Sequence, residues 1–219
     1  MVQIESKILF QIMILGFSEY QDKYDFSSVR GVIHVGAHHG QEFQDYQRYF
    51  RKDLTIHWFE PIKESYDILV QNIGSNPNNY FYNLGLGSAN TKKKIWKDSG
   101  NDGQSSSFLK PSKHLEIFPH ITFEPHPEEI EIFKLDSLFI RDSNVLVLDT
   151  QGYELEVLRG SSETLGFLDH IFCEVNTGEV YEGCPGLHDI DIFLQSFGFT
   201  LKENWWTSQS WGDCYWSRN

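Results

Sequence analysis

The sequence predicts an α/β domain built on a mostly parallel sheet, with an antiparallel strand pair added at its C-terminal end. Three observations carry this. Short β-branched or aromatic runs alternate with helical periodicities from Gly31 to Gly198, the first run ends in a glycine cluster, and the last two runs are separated only by a polar turn. Strands alternating with helices pair in parallel through right-handed crossovers, whereas strands joined by a turn pair antiparallel.

The elements follow in order. Gly31-Val32-Ile33-His34-Val35 is a short run ending in Gly36-Ala37-His38-His39-Gly40, and apolar runs bounded by glycine read as buried parallel strands. Gln41 to Tyr49 carries Phe43, Tyr46 and Gln47, with Phe50 beyond, at helical spacing. Leu54 to Phe59 is strand-like and stops at Glu60-Pro61; Ile62 to Ile73 then places Ile62, Tyr66, Leu69 and Ile73 on one helical face, closed by Gly74. Tyr80 to Leu84 predicts a third strand, followed by Gly85-Leu86-Gly87. The stretch from Ser99 to Pro127 is rich in Ser, Gly, Pro and His, and so long an irregular connection in a compact domain covers or forms a site. Val145 to Leu148 is the most apolar strand, with a helix beginning after Gly152, and Ile171 to Val175 is a fifth strand. Asp189 to Phe197 reads as a helix ending at Gly198, and Phe199–Trp205 and Asp213–Trp216 read as the terminal strand pair.

A chain of 219 residues fits one domain, here residues 29–219 preceded by an N-terminal helical segment over 1–28. Within that segment Ile8 to Phe17 is apolar but too short to span a bilayer, and it lacks a signal-peptide cleavage site. The formal charge of −13 argues against a nucleic-acid partner, because phosphate binding relies on clustered Lys and Arg. The one compact basic run, Lys92-Lys93-Lys94, reads as a solvated turn, and the acidic field suits a neutral or cationic small ligand. Cys173, Cys184 and Cys214 form no CxxC pair and no zinc spacing with the histidines, which predicts a reducing, cytoplasmic setting.

Two features point to a nucleoside. A strand that turns sharply into a helix needs a residue without Cβ where backbone approaches a ligand, and Gly36 supplies it; Gly40 lets the helix pack on the sheet. Glu60, at the end of the next strand, is placed to accept hydrogen bonds from ribose hydroxyls. This arrangement leaves NAD and S-adenosylmethionine open. His38, two positions after Gly36, would crowd a pyrophosphate, which tilts the reading to S-adenosylmethionine. Asp149 ends the most apolar strand, at the sheet edge where ligands collect; it would hold a cofactor ammonium, orient an acceptor hydroxyl or take its proton, or else serve as a helix N-cap.

Val32-Ile33-His34-Val35-Gly36-Ala37-His38-His39-Gly40-Gln41, Trp58-Phe59-Glu60-Pro61, Lys134-Leu135-Asp136-Ser137-Leu138 and the run from Leu148-Asp149-Thr150-Gln151-Gly152-Tyr153-Glu154 to Arg159-Gly160 together resemble the FkbM-type methyltransferase family. Phe172-Cys173-Glu174-Val175-Asn176 and Gly212-Asp213-Cys214-Tyr215-Trp216 extend the match. The resemblance implies a Rossmann-like class I methyltransferase fold with a seven-stranded sheet. It also implies O-methyl transfer from S-adenosylmethionine to a hydroxyl of a sugar, glycan or small natural product. Gly36, Ala37, His38, Gly40, Glu60 and the Asn83-Leu84-Gly85 turn would then line the cofactor site. The chain departs from the family at His34, where Asp is usual, and at His38, often Asn. His34 itself reads as a buried, hydrogen-bonded strand residue, with Asp149 as the compensating acid.

For catalysis, Asp149, Glu174 and His188 are the candidate proton acceptors, and the same three are candidate oxygen and nitrogen ligands for a hard divalent cation. Asn176 faces the same crevice, while His114, His120 and His126 read as surface residues and Trp205, Trp206 and Trp211 as core or edge cover rather than a sugar platform. An NAD-dependent oxidoreductase and a catalytically silent nucleotide-binding module are the alternative readings.

Overall fold

A computed structural model describes residues 23–207 and 211–218. The expected N-terminal helix around Ile8–Phe17 lies outside the described residues. The strands are β1 (Gly31–Val35), β2 (Thr55–Phe59), β3 (Asn79–Tyr82), β4 (Gly85–Leu86), β5 (Thr91–Ile95), β6 (Glu128–Phe133), β7 (Val145–Leu148), β8 (His170–Asn176), β9 (Thr200–Trp206) and β10 (Trp211–Ser217). The α-helices are α1 (Phe43–Tyr49), α2 (Lys63–Ile73), α3 (His114–Ile117), α4 (Glu154–Arg159) and α5 (Leu187–Gln195).

Seven strands form one sheet in the order β3-β2-β1-β7-β8-β10-β9. All neighbours are parallel up to β8, and β10 runs antiparallel to both β8 and β9. The C-terminal antiparallel hairpin therefore closes one edge of the sheet, as expected, with its last strand one place in from the edge. Alternation along the strands sorts side chains between two cores. Ile33, Val35, Phe59, Leu146, Leu148, Ile171 and Cys173 pack with Val157, Leu158, Ile190 and Leu194 of α4 and α5. Val32, Ile56, Trp58, Val145, Val147 and Phe172 pack on the other face with Tyr46 of α1 and Leu69 of α2.

One expectation fails in the middle of the chain, and one sheet there was not anticipated. Lys92-Lys93-Lys94 is not a solvated turn: it lies within β5, opposite Glu131, Ile130 and Glu129 of β6, where cross-strand charge pairing suits a lysine run. β4, β6 and β5 form a second, three-stranded sheet that short polar strands kept out of the periodicity. The stretch from Ser99 to Pro127 contains only the single turn of α3 and wraps over the carboxyl ends of the main strands.

Candidate active site

Strand order reverses between β1 and β7, and at that switch a cavity of about 270 Å³ opens beyond the carboxyl ends of β1, β2, β7 and β8. Its floor begins at the glycine bend. Gly36 has φ +82°, and a Cβ there would lie 1.7 Å from the carbonyl oxygen of Asp149, so no other residue fits. The Gly36 and Ala37 N–H groups both donate to the Phe59 carbonyl at 3.0 Å, which binds the bend to β2. Glu60 completes the join: Oε2 accepts from the His38 N–H at 2.9 Å and Oε1 from the Ile62 N–H at 2.8 Å. The acid at the tip of β2 thus touches the bend at the tip of β1. Burial pushes its carboxyl up to about 7, against the pull of those two amides.

The opposite wall holds Asp149 and Glu174 at the ends of β7 and β8. Gln151, itself at φ +54°, turns its amide between them: Nε2 donates to Asp149 Oδ1 at 2.7 Å and to Glu174 Oε1 at 3.0 Å. Burial raises Asp149 to about 6, and burial together with Asp149 and Asp213 raises Glu174 much further. The two acids share one buried space, so the pair gives up a first proton far more readily than a second, with Glu174 pushed up further than Asp149. Asp149 does not cap α4. No side chain caps that helix; Glu154 instead folds back over the turn before it, its Oε1 accepting from the Thr150 and Gly152 N–H groups and the Thr150 hydroxyl.

The connection after β5 supplies the roof. Asp98 organises it by accepting backbone N–H groups from Gly100, Asn101, Gly103 and Ser105. Three bonds fasten it: the Tyr181 hydroxyl donates to the Ser105 carbonyl, Ser107 Oγ to the Gln151 carbonyl, and His38 Nε2 to the Asp102 carbonyl. His38 Nδ1 accepts from Gln41, so its ring reaches up to the roof. Phe108, Phe118, Ile121 and His114 give the roof an apolar underside. His114 is buried rather than a surface residue. Its burial holds it neutral, down to about 4, and its Nδ1 has no hydrogen-bond partner.

The structure gathers Gly36, Ala37, His38, Glu60, Gly85, Asp149, Glu174 and Asn176 around one cavity, and it corrects other expectations. Gly40 does not line it, because a Cβ there would strike Leu69 and Ile73 of α2; its role is helix packing. Asn83 is exposed and donates to the Glu60 and Pro61 carbonyls, steadying the turn from behind. His188 is exposed on the first turn of α5, away from the cavity, so it is neither proton acceptor nor ligand with Asp149 and Glu174. His34 is buried, with its Nδ1 bonded to the Tyr46 hydroxyl at 2.9 Å, and burial lowers it to about 3. Of the three tail tryptophans Trp211 lines the cavity, Trp205 packs into the core beside α1 and Trp206 is exposed. Glu42, which also lines it, carried no sequence signal beyond following the glycine cluster.

The donor set fits a nucleoside with an amino-acid end. A bend too tight for any Cβ, a ribose-ready carboxylate beside it, and four lining carboxylates with no Lys or Arg suit a cationic adenosine derivative better than a pyrophosphate. Comparison with known proteins agrees. The methyltransferase FkbM domain matches residues 34–201. The 2-O-methyltransferase NoeI of Sinorhizobium fredii (strain NBRC 101917 / NGR234) is 24% identical over 176 residues, spanning 76% of this chain and 71% of that protein. Methyltransferase FkbM from Methylobacillus flagellatus KT superposes with TM-score 0.55 at 12% identity over 91% of this chain; the chain spans half the length of that protein. Magnesium protoporphyrin IX methyltransferase from Synechocystis PCC 6803, solved with bound S-adenosylmethionine, gives TM-score 0.53 at 9% identity, over 93% of this chain and 76% of that one. The bend, its acid and the fold around them place this chain in the FkbM family of S-adenosylmethionine-dependent methyltransferases.

Proposed function

We propose that the chain methylates a hydroxyl oxygen of a sugar, glycan or small natural product. S-adenosylmethionine, when bound, supplies a methyl group on a sulfonium, a leaving group that needs no protonation. The chain's own residues then have two tasks, aligning the acceptor oxygen and taking its proton. The observation that carries the reading is the Asp149–Gln151–Glu174 bridge across the cavity from the glycine bend. Asp149 is ionised and accepts a hydroxyl proton. Glu174 holds a proton with which to orient the acceptor oxygen, and Gln151 keeps the two carboxyls from turning away. Gly36, Ala37 and Glu60 hold the nucleoside, and the roof of residues 101–121 excludes water.

Support for an oxygen acceptor comes from the relative that is a 2-O-methyltransferase. Support for a neutral acceptor comes from the lining, which offers four carboxylates and no Lys or Arg to a phosphate or uronate. Trp211, which lines the cavity, offers an indole on which a sugar ring would stack. No helix among the described residues is long and apolar enough to cross a membrane, and the free thiols of Cys173, Cys184 and Cys214 support the cytoplasmic placement included in this proposal. The test is transfer of labelled methyl from S-adenosylmethionine to a panel of neutral, amino and acidic sugars. Label in an O-methyl of a neutral or amino sugar supports the reading; label only in acidic sugars, or on nitrogen or carbon, overturns it.

A further inference from the structure

We propose that Glu42 is the residue that grips the α-ammonium at the methionine end of the cofactor. The inference rests on the cofactor reading above and adds a binding residue that neither the bend nor Glu60 provides. An ammonium taken from water into a closed cavity needs an anion and hydrogen-bond acceptors to replace its hydration. The other groups near the bend are committed or uncharged. His34 lies beneath it as a neutral ring bonded to Tyr46. Both oxygens of Glu60 hold backbone amides on the ribose side. One oxygen each of Asp149 and Glu174 is taken by Gln151.

Glu42 differs from all of these. It stands immediately before α1 and its side chain makes no hydrogen bond to the first turn of that helix. It lines the cavity beside Gln41 and Ala37 with only 8% of its surface exposed, and its Oε2 has no hydrogen-bond partner. A buried carboxylate oxygen left unpaired is costly, and it persists where a ligand completes it. Burial, against the pull of the residue's own backbone N–H and reinforced by Asp149 and Asp45, lifts the carboxyl to about 8, which marks a place short of positive charge. A metal ion fits less well than an ammonium. Among the described residues the single group of three or more side chains with converging ligand atoms is His38, His39 and Asp102, and the two rings there stack at 3.6 Å. An ammonium instead donates separate, diverging hydrogen bonds and needs no such convergence.

The test uses calorimetry with three probes: S-adenosylhomocysteine, its deamino analogue, and 5′-methylthioadenosine, which lacks the whole amino-acid end. Glu42→Gln keeps the shape and removes the charge. It is expected to weaken S-adenosylhomocysteine about tenfold or more while leaving the two amine-free probes unchanged. Equal binding of S-adenosylhomocysteine by wild type and variant overturns the proposal, as does an equal loss for all three probes. If Glu42→Gln does not fold, the wild-type protein carries the test alone: it should prefer S-adenosylhomocysteine to the deamino analogue about tenfold or more, and equal affinities overturn the assignment. Wild-type protein that binds none of the three overturns the cofactor reading itself, a result distinct from failure of Glu42.

Discussion

The two halves of the cavity are built from different materials. On the β1–β2 side the ligand meets backbone: two amides locked to Phe59, a glycine with no room for Cβ, and a carboxylate fixed by one N–H on each oxygen, which leaves each a further lone pair. On the β7–β8 side it meets side chains: Asp149 and Glu174 stand close in a buried space and share one glutamine amide, and Glu42 at the start of α1 adds its charge to that of Asp149. The first half is rigid because the fold already satisfies its hydrogen bonds. The second is electrostatically unbalanced until a ligand arrives. Binding of the nucleoside and proton chemistry at the acceptor should therefore separate under mutation.

The largest expected effect breaks the rigid half. Gly36→Ala drives a methyl group into the Asp149 carbonyl at a left-handed backbone position, and should cost about 3 kcal/mol or more in urea unfolding, with cofactor binding lost. Wild-type stability in that variant would show that the bend is not as tight as described. Next, Asp149→Asn removes the charge of the unbalanced half while keeping its shape. Turnover should fall about 100-fold or more, with S-adenosylhomocysteine affinity within about threefold of wild type by calorimetry. A drop in affinity as large as the drop in turnover would merge the two halves.

A subtler effect sharpens the contrast. Glu42, Glu60 and Glu154 are raised by burial to about 8, 7 and 7, above the 4.5 of an unfolded chain. Between those limits the folded state alone keeps the proton, so each group favours folding most below 4.5 and loses that contribution as pH climbs to the folded value. The buried, neutral His34 and His114 oppose this only below 6.5, where the unfolded chain protonates its histidines. The melting temperature of the ligand-free protein should therefore fall from pH 6.5 to 8, and fall less in Glu42→Gln. A rising curve would contradict the charge assignment. The smallest effect belongs to His188→Ala, which should change stability by no more than about 0.5 kcal/mol and leave turnover unchanged, because the residue lies outside both halves.

The same division explains what the sequence revealed. β1, the bend, β2 and Glu60 were legible because a strand, a glycine turn and a terminal acid are contiguous and their geometry is local. β7 and β8 were legible as apolar runs. β4, β5 and β6 were not, since two residues or a lysine run exposed on a small sheet show no hydrophobic period. Gly40 was read as a helix-packing glycine and also as a cofactor contact, and only the proximity of Leu69 and Ile73 separates the two roles. His188 and His114 exchanged places for one reason: exposure of a histidine in a loop or helix start is set by what folds over it, which no local pattern records. Glu42 carried no local signal either, because an acid after a glycine cluster is unremarkable until the fold buries it with one oxygen unpartnered.

Titration of S-adenosylhomocysteine into wild type and Glu60→Ala, followed by calorimetry, addresses the grip between bend and acid most directly. The variant loses both bonds that fasten Glu60 to the chain and the acceptor offered to the ribose, so affinity should fall about 100-fold or more. Undiminished affinity in a folded Glu60→Ala protein would contradict that grip.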